Sequence, residues 1–274
     1  MLKNFLKAFL PGPFVNWINA RYGPLRMGGP FASWEAAAAQ CRGYDQTNIL
    51  ETVRHAAQQV KQGKAAFERD GVAFAEPDYA WPLLTGLLYV AACDEGRLSV
   101  MDFGGSLGSA YLRHRVWLQG LREVRWHVVE QPHFVACGLA EFADTQLHFH
   151  RSVTDCIAMA RPNVLLLGSV LQYLPRGLLE LETLLALGIP TVIVDRTPFS
   201  VNDETQILVQ TVSARIYRAS YPCRFFGQSE FEALFVTYGY RKKATYLCPD
   251  RASIPSQFLG YIFEKFDVRG SGVE

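Results

Sequence analysis

The chain has 274 residues, 49% of them hydrophobic and 19% charged, with a formal net charge of +1. That suits one large domain, or a domain with a smaller attachment, able to bury its core without covalent staples. The near-neutral balance gives no electrostatic reason to expect nucleic acid, and the six cysteines lack zinc-ribbon or redox spacing, as isolated thiols in a reducing cytoplasm would.

The opening MLKNFLKAFLPGPFVNWINARYG is interrupted at Pro11 and Pro13 and has no clean cleavage site, so no signal peptide is expected. No apolar run approaches the ~20 residues that span a bilayer. Phe5, Phe9 and Trp17 with Lys3, Lys7 and Arg21 suit either a membrane surface or, preferably, a helix packed on the domain. Next, SWEAAAAQ starts a helix with Ser33 as N-cap, CRGYDQ turns, and TNILETVRHAAQQVKQGKAAF carries Ile49, Val53, Ala56 and Val60 on one helical face. Residues 1–75 therefore read as a helical cap without strand signals, residues 76–267 as the main domain and 268–274 as a flexible tail.

From residue 76 the pattern changes. PDYAWPLLTGLLYVAAC reads as a buried helix. The short apolar runs LSVMDF, WHVVE, LHFHRS, NVLLLGS and TVIVDR then alternate with helices such as SAYLRHRVWLQG, PHFVACGLAEFA and PRGLLELETLLALG. This alternation predicts a parallel sheet covered on both faces. At the end, the helix FEALFVTYGY precedes two runs, ATYLCP and FLGYIFEKF, with no room for a helix between them. They should pair antiparallel. The expected fold is α/β: a Rossmann-like, seven-stranded, mostly parallel sheet with a C-terminal antiparallel hairpin and an N-terminal helical cap.

The strongest chemical signal is VMDFGGSLGSAYL. A strand ends at Asp102, and Gly104, Gly105 and Gly108 turn the chain into a helix whose first N–H groups are free. The dinucleotide pattern G-x-G-x-x-G would put its first glycine on Phe103, a poor match. The pattern acid-x-G-x-G-x-G fits Asp102, Gly104, Ser106 and Gly108 with one small substitution, and points to S-adenosylmethionine (SAM). A carboxylate there would neutralise the ammonium of SAM and repel a pyrophosphate. Glu130 closes the next strand, where a carboxylate grips ribose hydroxyls in NAD and SAM sites alike.

DFGGSLG, VVEQP and VLLLGSVLQYLP resemble class I SAM-dependent methyltransferases. With FASWEAAAAQCRGYD, VDRTPF and YPCRFF they are similar to a bacterial family of putative methyltransferases associated with surface-polysaccharide gene clusters. The resemblance implies an O-methyltransferase acting on a saccharide or related small molecule. It also implies further cofactor contacts at Gln131, Ser152, Val153, Gly168, Ser169 and Leu171. A non-catalytic SAM- or nucleoside-binding module and, less favoured, an NAD-dependent oxidoreductase are the alternatives.

For catalysis, Asp195 and Tyr173 stand at strand ends as candidate bases. Tyr44, Asp45, Arg196, Arg218 and Tyr221 are candidate acceptor contacts. The long stretch from Arg196 to Phe226, with Arg215, Arg218 and Arg224, suits an anionic acceptor. No metal motif is visible and no metal is expected. His148 and His150 alternate on one strand face, where a structural role is preferred to a metal one.

Overall fold

A computed structural model describes residues 25–41, 46–212 and 219–266. Tyr44, Asp45, Arg215, Arg218, the N-terminal amphipathic stretch and the tail 268–274 lie outside them.

The strands of the main sheet are β4 (Arg97–Phe103), β5 (Glu123–Val129), β6 (Leu147–His150), β7 (Val164–Gly168), β8 (Thr191–Ser200), β11 (Tyr240–Leu247) and β12 (Ser256–Lys265). They lie in the order β11-β12-β8-β7-β4-β5-β6. β8, β7, β4, β5 and β6 are parallel, and β12 runs antiparallel to both β8 and β11. The expected Rossmann-like sheet with its C-terminal hairpin is therefore present.

The central strands read as unbroken apolar runs because both faces are covered. Val100, Val164, Leu166 and Ile193 point into one core with Trp126. That face is covered by α2 (Gln46–Lys61), α3 (Trp81–Cys93), α4 (Ser109–Leu118) and α5 (Pro132–Glu141). Met101, Leu165, Leu167, Val192 and Val194 point the other way. There α6 (Val153–Met159), α7 (Leu178–Leu185) and α8 (Gln228–Thr237) cover them. Each fully buried aliphatic or aromatic side chain is worth about 1.5–3 kcal/mol.

The chain leaves β4 through α4 towards β5 and β6, then crosses back to β7 and β8 on the other side of β4. The order reverses at β4, so a crevice opens beyond its carboxyl end, between the loops after β4 and β7.

The N-terminal part is not purely helical. Ser33 caps α1 (Trp34–Ala38) as expected, accepting from the Ala36 N–H at 3.1 Å. But β1 (Arg26–Phe31) also forms here, as does the hairpin β2 (Phe67–Arg69) and β3 (Val72–Phe74). β1 pairs antiparallel with β9 (Gln206–Thr211), which pairs with β10 (Ser220–Phe225). The long connection after β8 is thus a second sheet. Its Leu208, Cys223 and Phe225 pack on Phe258. Two glycines and a proline hide β1 from any periodicity test, and three-residue strands are too short for one. Asp70 (φ 52°) and Gly71 (φ 79°) make the β2–β3 turn, both left-handed. An Asp-Gly pair between FER and VAF is the sequence signal for such a turn.

Candidate functional site

The turn after β4 explains its own sequence. Gly104 (φ 73°), Ser106 (φ 57°) and Gly108 (φ 83°) are all left-handed, and Gly108 is the N-cap of α4. Three left-handed residues at alternate positions require the x-G-x-G-x-G spacing. Serine at the middle position adopts the same conformation with strain of about 1 kcal/mol. A side chain on Gly105 would collide with the Asp102 carboxylate, its Cβ falling 2.4 Å from Cγ.

Asp102 sits beneath that turn rather than in the open. It is 2% exposed and accepts a hydrogen bond from Trp126 Nε1 at 2.9 Å. Burial pushes its carboxyl up to about 7; the Trp126 donor opposes this, and the nearby Glu130 charge adds to it. Its carboxylate faces Trp126 and the underside of the turn, not open solvent. Glu130 lies at the end of β5, half-buried, its carboxylate accepting from the Gln131 N–H at 2.5 Å. Burial raises its pKa as well.

The structure brings most of the expected cofactor residues to one edge. Gly104, Gly105, Ser106, Glu130, Gln131, Ser152, Val153, Gly168 and Ser169 form a solvent-reaching band along the carboxyl ends of β4, β5, β6 and β7. Gly168 has an ordinary φ and no atom within 4 Å of where a Cβ would stand. Neither backbone nor packing needs a glycine there. The Ser152 hydroxyl caps α6 by accepting from the Asp155 N–H at 3.0 Å. Leu171 differs from the rest of the band: the whole residue is buried, 1% exposed, with its side chain in the core.

Beyond β7 the edge becomes ionic. Opposite Gly260 of β12, β8 carries an extra residue, because Leu259 pairs with Thr197 and Tyr261 with Val194. Arg196 takes φ 55° in this bulge. Bulges re-aim side chains and are common beside active sites. Asp195 accepts from Tyr246 Oη at 2.9 Å, and its backbone oxygen accepts from the Ser169 N–H at 2.8 Å. Burial raises the Asp195 carboxyl, opposed by Arg196 and the Tyr246 hydrogen bond. Arg196 donates to Asp250 at 3.2 Å and to Asp70 at 3.4 Å, and Arg69 also binds Asp250. Burial lowers the Arg113 guanidinium to about 10, beside Asp78. The β2–β3 hairpin is thereby tied across this edge, with buried Glu68 accepting from the Ser109 hydroxyl at the start of α4. Glu68 and Arg69 are not legible as site residues in the sequence, because a three-residue strand gives no reason to place it over the site, and Arg113 is one of two arginines along α4. Asp70, Ser106, Ser169 and Arg196, four residues with positive φ that are not glycine, converge here. Such backbone strain clusters at functional sites.

Other expected residues are committed to structure. Tyr173 is half-buried and donates to Gln210 at 3.0 Å, while Gln210 donates to Tyr221 Oη at 3.1 Å. Burial holds the Tyr173 phenol well above its ordinary range, so it is a poor base. Tyr221 packs edge-on against it at 5.2 Å. Arg224 donates to the Leu174 and Pro175 carbonyls and lies over the Trp34 ring. It is a structural clamp, not a free cation. Two sizeable cavities, about 270 and 500 Å³, lie elsewhere: one beside Phe199 and Glu232, the other at the amino edge of the sheet around Arg97 and Asn163.

No protein-family model matches the chain, and no curated protein matches it. Among solved structures, the N-terminal domain of EvdMO1 in the presence of SAH and D-fucose is similar at TM-score 0.48 and 11% identity, over 82% of this chain and 100% of that one. A SAM-dependent methyltransferase from Clostridium acetobutylicum ATCC 824 is similar at TM-score 0.44 and 9% identity, over 70% and 93%. Magnesium protoporphyrin IX methyltransferase from Synechocystis PCC 6803 with bound SAM gives TM-score 0.44 and 12% identity, over 95% and 94%. At such distances the function has to be argued from this chain's own residues.

Proposed function

We propose that this chain is a SAM-dependent methyltransferase acting on an oxygen of a saccharide or related small molecule. One observation carries the reading. At the crevice where strand order reverses, the left-handed turn, Asp102, Glu130 and the unfilled space over Gly168 lie together. The band from Gly104 to Ser106, with Glu130, Gln131, Ser152, Val153, Gly168 and Ser169, holds a carboxylate and no cation, with Asp102 buried beneath the turn. That donor set fits a cationic nucleoside and disfavours a pyrophosphate, which argues against NAD.

When bound, SAM supplies a methyl group on a sulfonium leaving group. The chain's task is alignment and proton handling. Glu130 accepts hydrogen bonds from ribose hydroxyls. Asp102 offsets the cofactor's positive charge, and a bound cation in turn favours its ionised form. Gly168 leaves room for the methionine portion. Asp195 takes the acceptor's hydroxyl proton, its raised pKa bringing it nearer to neutrality. Arg196, re-aimed by the bulge, faces the same ionic edge. We place the acceptor under the β2–β3 hairpin.

A second reading, a binding module without catalysis, is favoured by one fact: Asp195 already accepts from Tyr246 and, at 3.7 Å, from Cys248. Calorimetry with SAM, SAH and NADH, followed by transfer of labelled methyl from SAM to a host extract, separates the readings. Glu130→Ala should weaken SAM binding by roughly 10- to 100-fold, through loss of charge-assisted hydrogen bonds worth ~1.5–3 kcal/mol. NADH binding in place of SAM would overturn the proposal. SAM binding without any transfer would leave the second reading.

A further inference from the structure

Three histidines and a cysteine converge on the sheet face opposite Trp126, outside the crevice residues. His127 projects from β5, His148 and His150 from β6, and Cys156 from α6, which crosses over them. One ring nitrogen from each of His127 and His150 and the Cys156 sulfur all lie within 4.8 Å of one another. His127 Nδ1 and His150 Nε2 face each other at 2.9 Å, and the His148 ring stacks on His127 with centroids 5.0 Å apart.

The protein satisfies this cluster only in part: His127 Nδ1 and His150 Nε2 share one hydrogen bond. His127 is 4% exposed, and its Nε2 is buried without a hydrogen-bond partner. An orphaned buried polar atom costs about 1–3 kcal/mol. Two aliphatic side chains would pack on that face with no such penalty, as they do on neighbouring strands. Cys156 is fully buried and its Sγ is held among these nitrogens. Imidazole nitrogens with one sulfur are the donors of a borderline-soft cation. In a tetrahedral zinc site, bonds of about 2.0–2.3 Å set donors about 3.3–3.6 Å apart. Modest side-chain rotation covers the difference from the observed spacing.

The geometry points to a zinc-binding site formed by His127, His150 and Cys156, with water or a rotated His148 in the fourth position. Binding forms one Zn–S and two Zn–N bonds, and the Cys156 thiol proton passes to solvent. The site is structural: it fastens the edge strand β6 and helix α6 to β5. The sequence hid it because Cys156 arrives from a helix, outside any ligand-spacing motif.

The test uses the untagged full-length chain, stripped with a chelator and then dialysed against zinc. About one equivalent of zinc should remain, and the melting temperature should rise. Cobalt(II) in its place should show the thiolate-to-metal charge-transfer band of a tetrahedral site. Cys156→Ser should abolish that band, and His150→Gln, at a half-buried position, should weaken zinc binding at least tenfold. His55→Gln, at an exposed histidine, should change neither. A folded wild type that retains no zinc, or variants that bind as tightly as the wild type, would overturn the site. Metal retention is read without SAM or acceptor, so its failure leaves the proposed methyl transfer standing.

Discussion

Replacing Asp102 with asparagine should make the empty protein more stable and its cofactor binding weaker. The carboxyl moves from an ordinary 3.8 to about 7, chiefly through burial, and the side chain is 2% exposed. The unfolded chain therefore releases this proton at lower pH than the folded one. Stability from this group is complete below about pH 3.8 and is lost as the pH climbs to 7. At 1.36 kcal/mol per pKa unit, the loss approaches about 4 kcal/mol at pH 8 as an upper bound. Asparagine has the same shape, keeps an oxygen for Trp126 Nε1, and carries no charge to desolvate. D102N should match the wild type near pH 3.5 and exceed it increasingly above pH 5. At roughly 2–4 °C per kcal/mol, the gain at pH 8 reaches several degrees. Thermal unfolding of both apo proteins across this pH range reads the stability, and calorimetry reads a SAM affinity reduced about tenfold or more. A pH-independent difference, or no gain at pH 8, would refute the assignment of a destabilising buried charge.

Three further outcomes follow from the same geometry. Ser106→Gly relieves a left-handed serine at φ 57° and should stabilise the fold by about 0.5–1 kcal/mol, measured by urea unfolding. Gly168→Val fills space that no atom occupies, so melting should stay nearly constant while SAM binding falls at least tenfold by calorimetry. Asp250→Ala leaves Arg69 and Arg196, two largely buried guanidiniums, to share the more exposed Asp70 and should cost about 3 kcal/mol in chemical denaturation.

Much of the frame is legible in the sequence because each central strand, buried on both faces, is an apolar run flanked by a helical pattern. The glycine spacing around Asp102 is legible for a sharper reason: alternate left-handed residues leave few substitutes. What stays hidden is whatever depends on meetings between distant segments. Nothing near Glu68 reveals that it will lie against Ser109. Nor does the pattern around Asp102 reveal that its carboxylate will turn inward to Trp126 instead of outward to a ligand. Tyr173 and Arg224 look like chemistry in sequence and act as packing and clamp, because β9 and β10 supply the partners of Tyr173 while the chain before α7 and the Trp34 ring supply those of Arg224.

Strand β1 finds its neighbour late. Arg26 pairs with Thr211, so during synthesis this strand has no sheet partner until all five parallel strands and β9 have followed it. Until then its backbone donors and acceptors stand open to any passing edge, a window for association during synthesis. The order of completion is built in: the parallel strands can assemble first, and the small sheet beside them closes only afterwards, when a segment from before the main sheet meets one inserted between β8 and β11.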